Sequence, residues 1–494
     1  MTARDHTIPG RFFMPDPDMI AALLTAVFSS AGDPLADRIG TEAVEHLKQF
    51  QIRNVVVVVV QGDRTILRTV ISTPQSPRTL TTRTLLPIGS CTKAFTSAAI
   101  ASLVVEGKLG WDDPVRRHRP TFRLADAEAD RLVTIRDLLS HRTGLAGHDL
   151  LWYRAAWPLD DAIGKLVHLP LAGPFRKSFH YSSLTFAAGG FAAARADGRS
   201  WPELIRARVA KPAGIERIAF TTAEAKKLGS VATGDRLTDD GRLEAMPPYD
   251  MAEPNPAGSI HLDAHGLERW LRYQLDPANK FLAETRSPQV DIPLNERVKP
   301  FHPQSRQLSY GLGWLVSDEP TPVILHGGMI DGLRTQITLF PRERLGIALV
   351  NDRHESLMNV ALSSTIADMI LDRPAPKSPW RTTYLDLERA DRQANVDRRR
   401  EWALRKQQFA TSAVPLEPMT GDYAHPAYGR GRVTLKDGRL TWSWSSFTVP
   451  LDRVGDRQFA MTVDPLTGRL IEFISRDGRI AGLTFAEQSF EKIP

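Results

Sequence analysis

Pro87-Ile88-Gly89-Ser90-Cys91-Thr92-Lys93-Ala94-Phe95-Thr96 is the stretch around which the rest of the chain is read. It contains Ser90-x-x-Lys93. If Ser90 opens a helix, a residue three positions on lies on the same face one turn later, so the Lys93 amine can reach the Ser90 hydroxyl. A serine hydroxyl is a poor nucleophile until a neighbouring base takes its proton, and burial pushes an amine towards the neutral form that can do so. A helix start also places backbone N–H groups near the seryl oxygen. A second copy of the spacing, Ser489-Phe490-Glu491-Lys492, has no helix-forming run after it and reads as chance. Around the first copy, Gly89 precedes the serine, and Ala94 to Val105 is a small-residue apolar run of helical length closed by Glu106-Gly107. From this stretch alone, a buried core helix remains an equal reading.

Composition narrows the class. With 494 residues, 42% of them hydrophobic, the chain can bury a large core and accommodate two or three domains. A formal charge of +6, spread among interleaved acids and bases, gives no nucleic-acid footprint. The single cysteine, Cys91, excludes an internal disulfide framework and a cysteine-based zinc cluster, and beside Ser90 it reads as a small packing residue. The apolar run Met19 to Ser30 follows Asp5, Asp16 and Asp18, so it reads as an amphipathic helix, not a secretion signal. No run reaches membrane-spanning length, and a cytoplasmic location is the default expectation.

Along the chain, Thr41 to Gln51 has helical spacing. The β-branched run Val55 to Val60, a turn at Gln61-Gly62-Asp63 and Thr65 to Ser72 predict a buried hairpin. Thr134 is a credible cap for a helix beginning at Ile135, and His141, at its end beside Gly144, reads as structural. Tyr181, in Phe179-His180-Tyr181-Ser182-Ser183-Leu184 before the small-residue helix Thr185 to Ala194, is a candidate for proton transfer. A nearby lysine ammonium would stabilise its ionised form and let it act as base or relay; a loop-capping tyrosine is the alternative. A third cluster, Val323 to Gly332 with His326-Gly327-Gly328-Met329 at its centre, continues into Arg334 to Phe340 and Gly346 to Asn351 as a β-meander. Glycines inside a strand mark close approach of another backbone or a ligand, which predicts an edge strand lining a cleft.

In this order, Ser90-x-x-Lys93, Tyr181-Ser182-Ser183 and His326-Gly327-Gly328 resemble the serine β-lactamase and penicillin-binding-protein superfamily, and within it the class C-like serine hydrolases: esterases, D-aminopeptidases and acyltransferases. The likeness runs from about Val55 to Asp352. Thr134 to His141, Pro256-Ala257-Gly258-Ser259, Tyr310-Gly311-Leu312-Gly313-Trp314 and Ile330-Asp331-Gly332 support it. The resemblance implies an α/β (α+β) fold, an antiparallel sheet flanked by helices with a helical lobe, and the site between them. It makes Ser90 the residue acylated, Lys93 and Tyr181 the proton carriers, and the N–H groups of Ser90 and Met329 the oxyanion hole. Ser183, His326, Gly327, Gly328 and Arg334 become substrate-binding candidates. Ser183 stands where lactamases usually have asparagine, and His326 replaces the lysine that helps hold a substrate carboxylate. Both departures point away from β-lactams, towards an ester, amide or short peptide.

The expected organisation is an N-terminal helical extension over 1–40, the catalytic domain over 41–372, a linker and charged helix over 373–412, and a small antiparallel barrel over 413–494. Within the linker region, Leu385 to Phe409 is the helix, with Arg398-Arg399-Arg400 on a solvated face. In the last segment, Asp437-Gly438, Thr467-Gly468 and Asp477-Gly478 are turns, and Trp442, Trp444, Phe447 and Phe473 form an apolar face. This segment resembles the lipocalin-like domain of such hydrolases, which walls the cleft or supports a homo-oligomer. No HExxH, Walker loop, GxGxxG or GxSxG is present, so no metal, nucleotide or other cofactor is expected. An acyltransferase using the same acyl-enzyme, or a non-catalytic scaffold on the same fold, are the competing readings.

Overall fold

The computed structural model describes residues 33–494, apart from 320, 374, 375, 377, 464 and 465. The helix expected over Met19 to Ser30 lies outside the described residues, as does most of the 1–40 extension. The first described helix, α1 (Pro34–Gln49), starts earlier than the spacing from Thr41 implies, because Asp33 caps it by accepting from Leu35 N at 3.0 Å and Pro34 suits a first-turn position.

An eight-stranded antiparallel sheet organises the chain from Asn54 to Asn351. Its strands are β1 (Asn54–Gln61), β2 (Arg64–Ser72), β3 (Val290–Ile292), β4 (Leu308–Tyr310), β5 (Leu315–Ser317), β6 (Val323–Ile330), β7 (Leu333–Phe340) and β8 (Leu345–Asn351), in the order β2-β1-β8-β7-β6-β5-β4-β3. The valine run explains itself here. Val56, Val58 and Val60 join the core beneath the helical lobe, while Val55, Val57 and Val59 pack on the opposite side with α1 and α5 (Met358–Leu371), so both faces of β1 are dry.

The expected meander of β6, β7 and β8 is present in full register. Its first strand is an edge only in part. Leu315 to Ser317 of β5 pair with Val323 to Leu325, which leaves the half from His326 to Ile330 without a strand partner on that side. That open half faces the segment before α2 (Thr92–Val105), the helix that carries Lys93. A second small-residue helix, α3 (Ser183–Asp197), crosses it closely; Gly190 of α3 is packed against Pro256 and Thr96 with no room for a Cβ. Thr134 caps the short helix Ile135–Leu139 through a reciprocal capping box with Asp137, as its sequence implies.

The charged helix, α4 (Trp380–Gln408), begins with Trp380, which is buried with Tyr384 against the α5 side of the sheet. Arg398 and Arg400 face solvent, but Arg399 is tied to Asp239. After it, eight antiparallel strands from Gly421 to Ile493 close into a barrel. Its interior is filled by side chains including Tyr423, Trp442, Trp444, Phe473 and Phe485. Gly431 is required there, because a Cβ would enter the Trp442 ring. Among the described residues no helix is long and apolar enough to cross a membrane.

Candidate active site

Gly89, at φ +52°, turns the chain so that Ser90 lies in a single 3₁₀ turn leading into α2. Lys93, one turn on, is fully buried and its Nζ lies 3.1 Å from Ser90 Oγ, 2.9 Å from the Ala257 carbonyl oxygen and 3.5 Å from Ser183 Oγ. Burial pushes the amine down to about 7, against a weaker opposing pull from Asp149. A neutral amine has two protons and one lone pair. Two of its three neighbours can accept those protons, which leaves the lone pair for the Ser90 hydroxyl. The Asn255 to Ser259 loop holds this arrangement: Ile260 N donates to Thr92 Oγ1 at 3.1 Å, and Thr96 Oγ1 donates to the Pro256 carbonyl at 2.7 Å.

Tyr181 lies beside the pair, with Lys93 Nζ 4.7 Å from the centroid of its ring. Its hydroxyl is close enough to Ser90 for the serine to favour its ionised form slightly. The expectation that lysine would stabilise a phenolate is corrected here. Burial raises the Tyr181 pKa far more than Ser90 lowers it, and Lys93 is itself pushed towards neutrality, so the resting group is a phenol. His141 supports it structurally: its carbonyl accepts from His180 N at 2.8 Å, its Nδ1 accepts from Ser182 N at 3.1 Å, and its ring packs 4.3 Å from that of Tyr181. Cys91 is buried, donates its thiol to the His326 carbonyl at 3.3 Å, and is pushed up to about 12 by burial, so it is a packing residue.

The two glycines of β6 are not equivalent. A Cβ on Gly328 would collide with the Ile88 carbonyl and lie 3.3 Å from Ser90 N, whereas one on Gly327 would meet Gln336 Oε1 at 3.5 Å and the Thr335 carbonyl oxygen at 3.8 Å, both ordinary contacts. The close approach puts Met329 N and O within 2.8 and 2.9 Å of where a Gly89 Cβ would sit, so the polar backbone of Met329 faces the Ser90 turn.

Three substrate-binding candidates sit elsewhere than expected. His326 is 4% exposed, and both its ring nitrogens are used: Tyr310 Oη donates to Nε2 at 2.9 Å, and Nδ1 donates to the Gly327 carbonyl at 2.6 Å. Burial first, and then the Lys93 charge, push it down to about 3, so it is neutral and lies behind the cleft. Arg334 of β7 pairs with Met329 of β6, on the face opposite His326, because side chains alternate along a strand. Its Nε points to the Ser356 carbonyl at 3.4 Å, towards the α5 side. Gly327 is on that same far face, while Ser183 lines the cleft.

The cleft, about 510 Å³, is also walled by residues that carry no sequence signal of a site: Trp152, Leu159, Tyr249, Met251, Glu253 and Asn255. Leu159 opens the short helix Leu159–Gly164 and the others lie on irregular connections, where neither period nor motif marks a lining residue. Tyr310, the partner of His326, does fall in a quoted motif, but its role depends on the β4–β5–β6 register. The other SxxK copy lies on the strand Gln488–Ile493, where residues three apart point to opposite faces.

A mixed fold with this sheet, this lobe and, between them, a cleft-lining serine followed three residues on by a buried lysine defines a protein of the β-lactamase and transpeptidase type. The chain belongs to the beta-lactamase family, whose model matches residues 41–362; residues 405–493 match a domain of unknown function, DUF3471. It is 26% identical over 420 residues to the unguisins hydrolase ungD' of Aspergillus campestris (strain IBT 28561), covering 81% of this chain and 77% of that one. Its fold is that of the octameric penicillin-binding protein homologue from Pyrococcus abyssi, with a TM-score of 0.59 at 17% identity over 92% of this chain and 99% of that one. EstCE1, described as a hydrolase with promiscuous acyltransferase activity, is similar over 68% of this chain and 98% of its own, with a TM-score of 0.57 and 19% identity. The coarse assignment is therefore a hydrolase of the β-lactamase fold.

Proposed function

We propose that the chain is a serine hydrolase that forms an acyl-enzyme at Ser90 from neutral ester, amide or short-peptide donors. The observation that carries this is the buried Lys93 amine, 3.1 Å from Ser90 Oγ and pushed down to about 7. Such an amine is half neutral near pH 7, where a general base works best. It takes the Ser90 proton as Oγ bonds to the acyl carbon. The resulting oxyanion lies under the N–H groups of Ser90 and Met329. The Tyr181 phenol relays a proton to the leaving oxygen or nitrogen as its bond to carbon breaks. Water then attacks the acyl carbon, gives its proton back through the same groups, and frees Ser90. An alcohol or amine in place of water gives acyl transfer through the same intermediate.

The preference for neutral donors rests on charge. His326 is neutral, Arg334 lies on the other face of the sheet, and the charged residue among those lining the cleft is an acid, Glu253. The name of the relative ungD' supports hydrolysis as the chemistry. The test is intact-mass spectrometry after treatment with a fluorophosphonate. Wild type should gain one adduct at Ser90 and Ser90→Ala none; an adduct that persists in the variant would refute the proposal.

A further inference from the structure

The β6–β7 turn, Asp331-Gly332, follows Met329 closely and is tied down from outside the sheet. Asp331 is 5% exposed, accepts from Tyr153 Oη at 2.6 Å, and is ion-paired with Arg154. Arg154 in turn donates from Nε to Tyr153 Oη at 3.1 Å and from Nη2 to the Pro247 carbonyl at 3.2 Å, with its guanidinium 5.6 Å from the Tyr249 ring. The other half of the turn abuts Gly234, where a Cβ would run into the Gly332 carbonyl. The open half of β6 is thus fixed at two points, by Gly328 against Ile88 before Met329 and by Asp331 after it.

Arg154 is at φ +52°, an uncommon backbone for a non-glycine residue, and the barrel holds that backbone. Ser446 Oγ donates to the Arg154 carbonyl, and Ala156 N donates to Ser445 Oγ at 2.9 Å. Next to them Trp157 packs edge-on to Trp444, with centroids 5.6 Å apart, and His148 Nδ1 meets Tyr428 Oη at 3.0 Å. The segment from His148 to Trp157 is therefore a strap, with the barrel on one side and Asp331 on the other.

We propose that Asp331 and Tyr153 are positioning residues for the Met329 N–H, and that the barrel acts on catalysis through them. This rests on the reading of that N–H as an oxyanion donor. Oxyanion stabilisation depends on donors held where charge develops, so a small displacement of one costs rate without weakening ground-state binding. The barrel then has a chemical role that its interior, filled by buried aromatic side chains, would not suggest.

The test uses the full chain with p-nitrophenyl butyrate as probe, each rate divided by the Ser90 sites titrated with a fluorophosphonate. Tyr153→Phe and Asp331→Ala should lose about tenfold in kcat per titrated site, part of what removing a whole donor costs, with KM little changed. Asp331→Asn, which still accepts from Tyr153, should retain more activity than Asp331→Ala. Ser446→Ala, on the barrel, should fall in the same direction by a smaller factor. If titratable sites are lost while kcat per site stays at the wild-type value, the residues serve stability only and the proposal falls. It falls equally if KM rises at constant kcat, because the strap is then only a cleft wall. Tyr153→Phe removes a single hydroxyl, so it decides the matter even if the Asp331 variants do not fold. A wild type with no adduct at Ser90 instead overturns the acyl-enzyme reading, and this inference with it.

Discussion

Lys93 Nζ stands 4.7 Å over the Tyr181 ring while bonding Ser90 Oγ at 3.1 Å, so the amine approaches the phenol through its π face and the serine along a hydrogen bond. This division fits the proposed roles, the amine as base and the phenol as relay. Tyr181→Phe keeps the ring against Lys93 and removes only the hydroxyl. It should lower kcat about a hundredfold, as loss of proton-transfer help does, while Ser90 remains open to slow fluorophosphonate labelling. Steady-state kinetics with labelling rates would check it; full turnover in the variant would remove Tyr181 from the mechanism.

Carboxylate-bearing donors should gain nothing from acidification. An ordinary histidine would become charged between pH 7 and 5 and attract them, but His326, pushed down to about 3, stays neutral over that range. The ratio of kcat/KM for a matched carboxylated and neutral ester should be flat from pH 7.5 to 5. A rising ratio would show that His326 is accessible and charged.

The glycine pair gives a steric prediction. Gly328→Ala puts a methyl into the Ile88 carbonyl, a backbone atom that cannot step aside without moving the Ser90 turn, and should abolish Ser90 labelling. Gly327→Ala meets the Gln336 amide oxygen and the Thr335 carbonyl oxygen, both at ordinary contact distance, and should keep most of the activity. Parallel labelling of the two variants settles it.

The protein should be acid-labile on account of buried neutral histidines. Burial lowers His46 and His261 to about 4, His326 to about 3, and His141 well below its usual value. Each folded pKa is depressed, so protons bind the unfolded chain first. Stability is complete above about pH 6.5 and is lost as pH falls from there towards 4. Thermal unfolding at pH 7.5 and pH 5 should show a lower Tm at pH 5, and the variant His261→Gln should reduce the difference.

Much of this is legible in residues whose local chemistry leaves few options. The valine run, the Thr134 cap, the small-residue helices and the turn dipeptides of the barrel each state a local preference that the fold honours. Ser90 and Lys93 are legible because three residues of helix put them on one face. His326 and Arg334 are not, because both fall on a strand, and which face a strand residue takes depends on register with β7, set by contacts far along the chain. The state of Tyr181 is hidden for a related reason. Proximity to lysine is visible in the motif order, but the depth of burial that outweighs it is a property of the assembled lobe. The strap from His148 to Trp157 has no period and no motif; its meaning comes from the barrel and the β6–β7 turn meeting on either side of it.

If a neutral Lys93 deprotonates Ser90, the pH dependence of Ser90 acylation must follow the ionisation of its amine. Single-turnover acylation by p-nitrophenyl butyrate, measured from pH 5 to 10, should rise through a single ionisation near 7 and level off above it, because the amine must lose its proton to act. Lys93→Ala should abolish that rise along with nearly all of the rate. A profile governed by a group near 10, or one that survives in Lys93→Ala, would contradict the account.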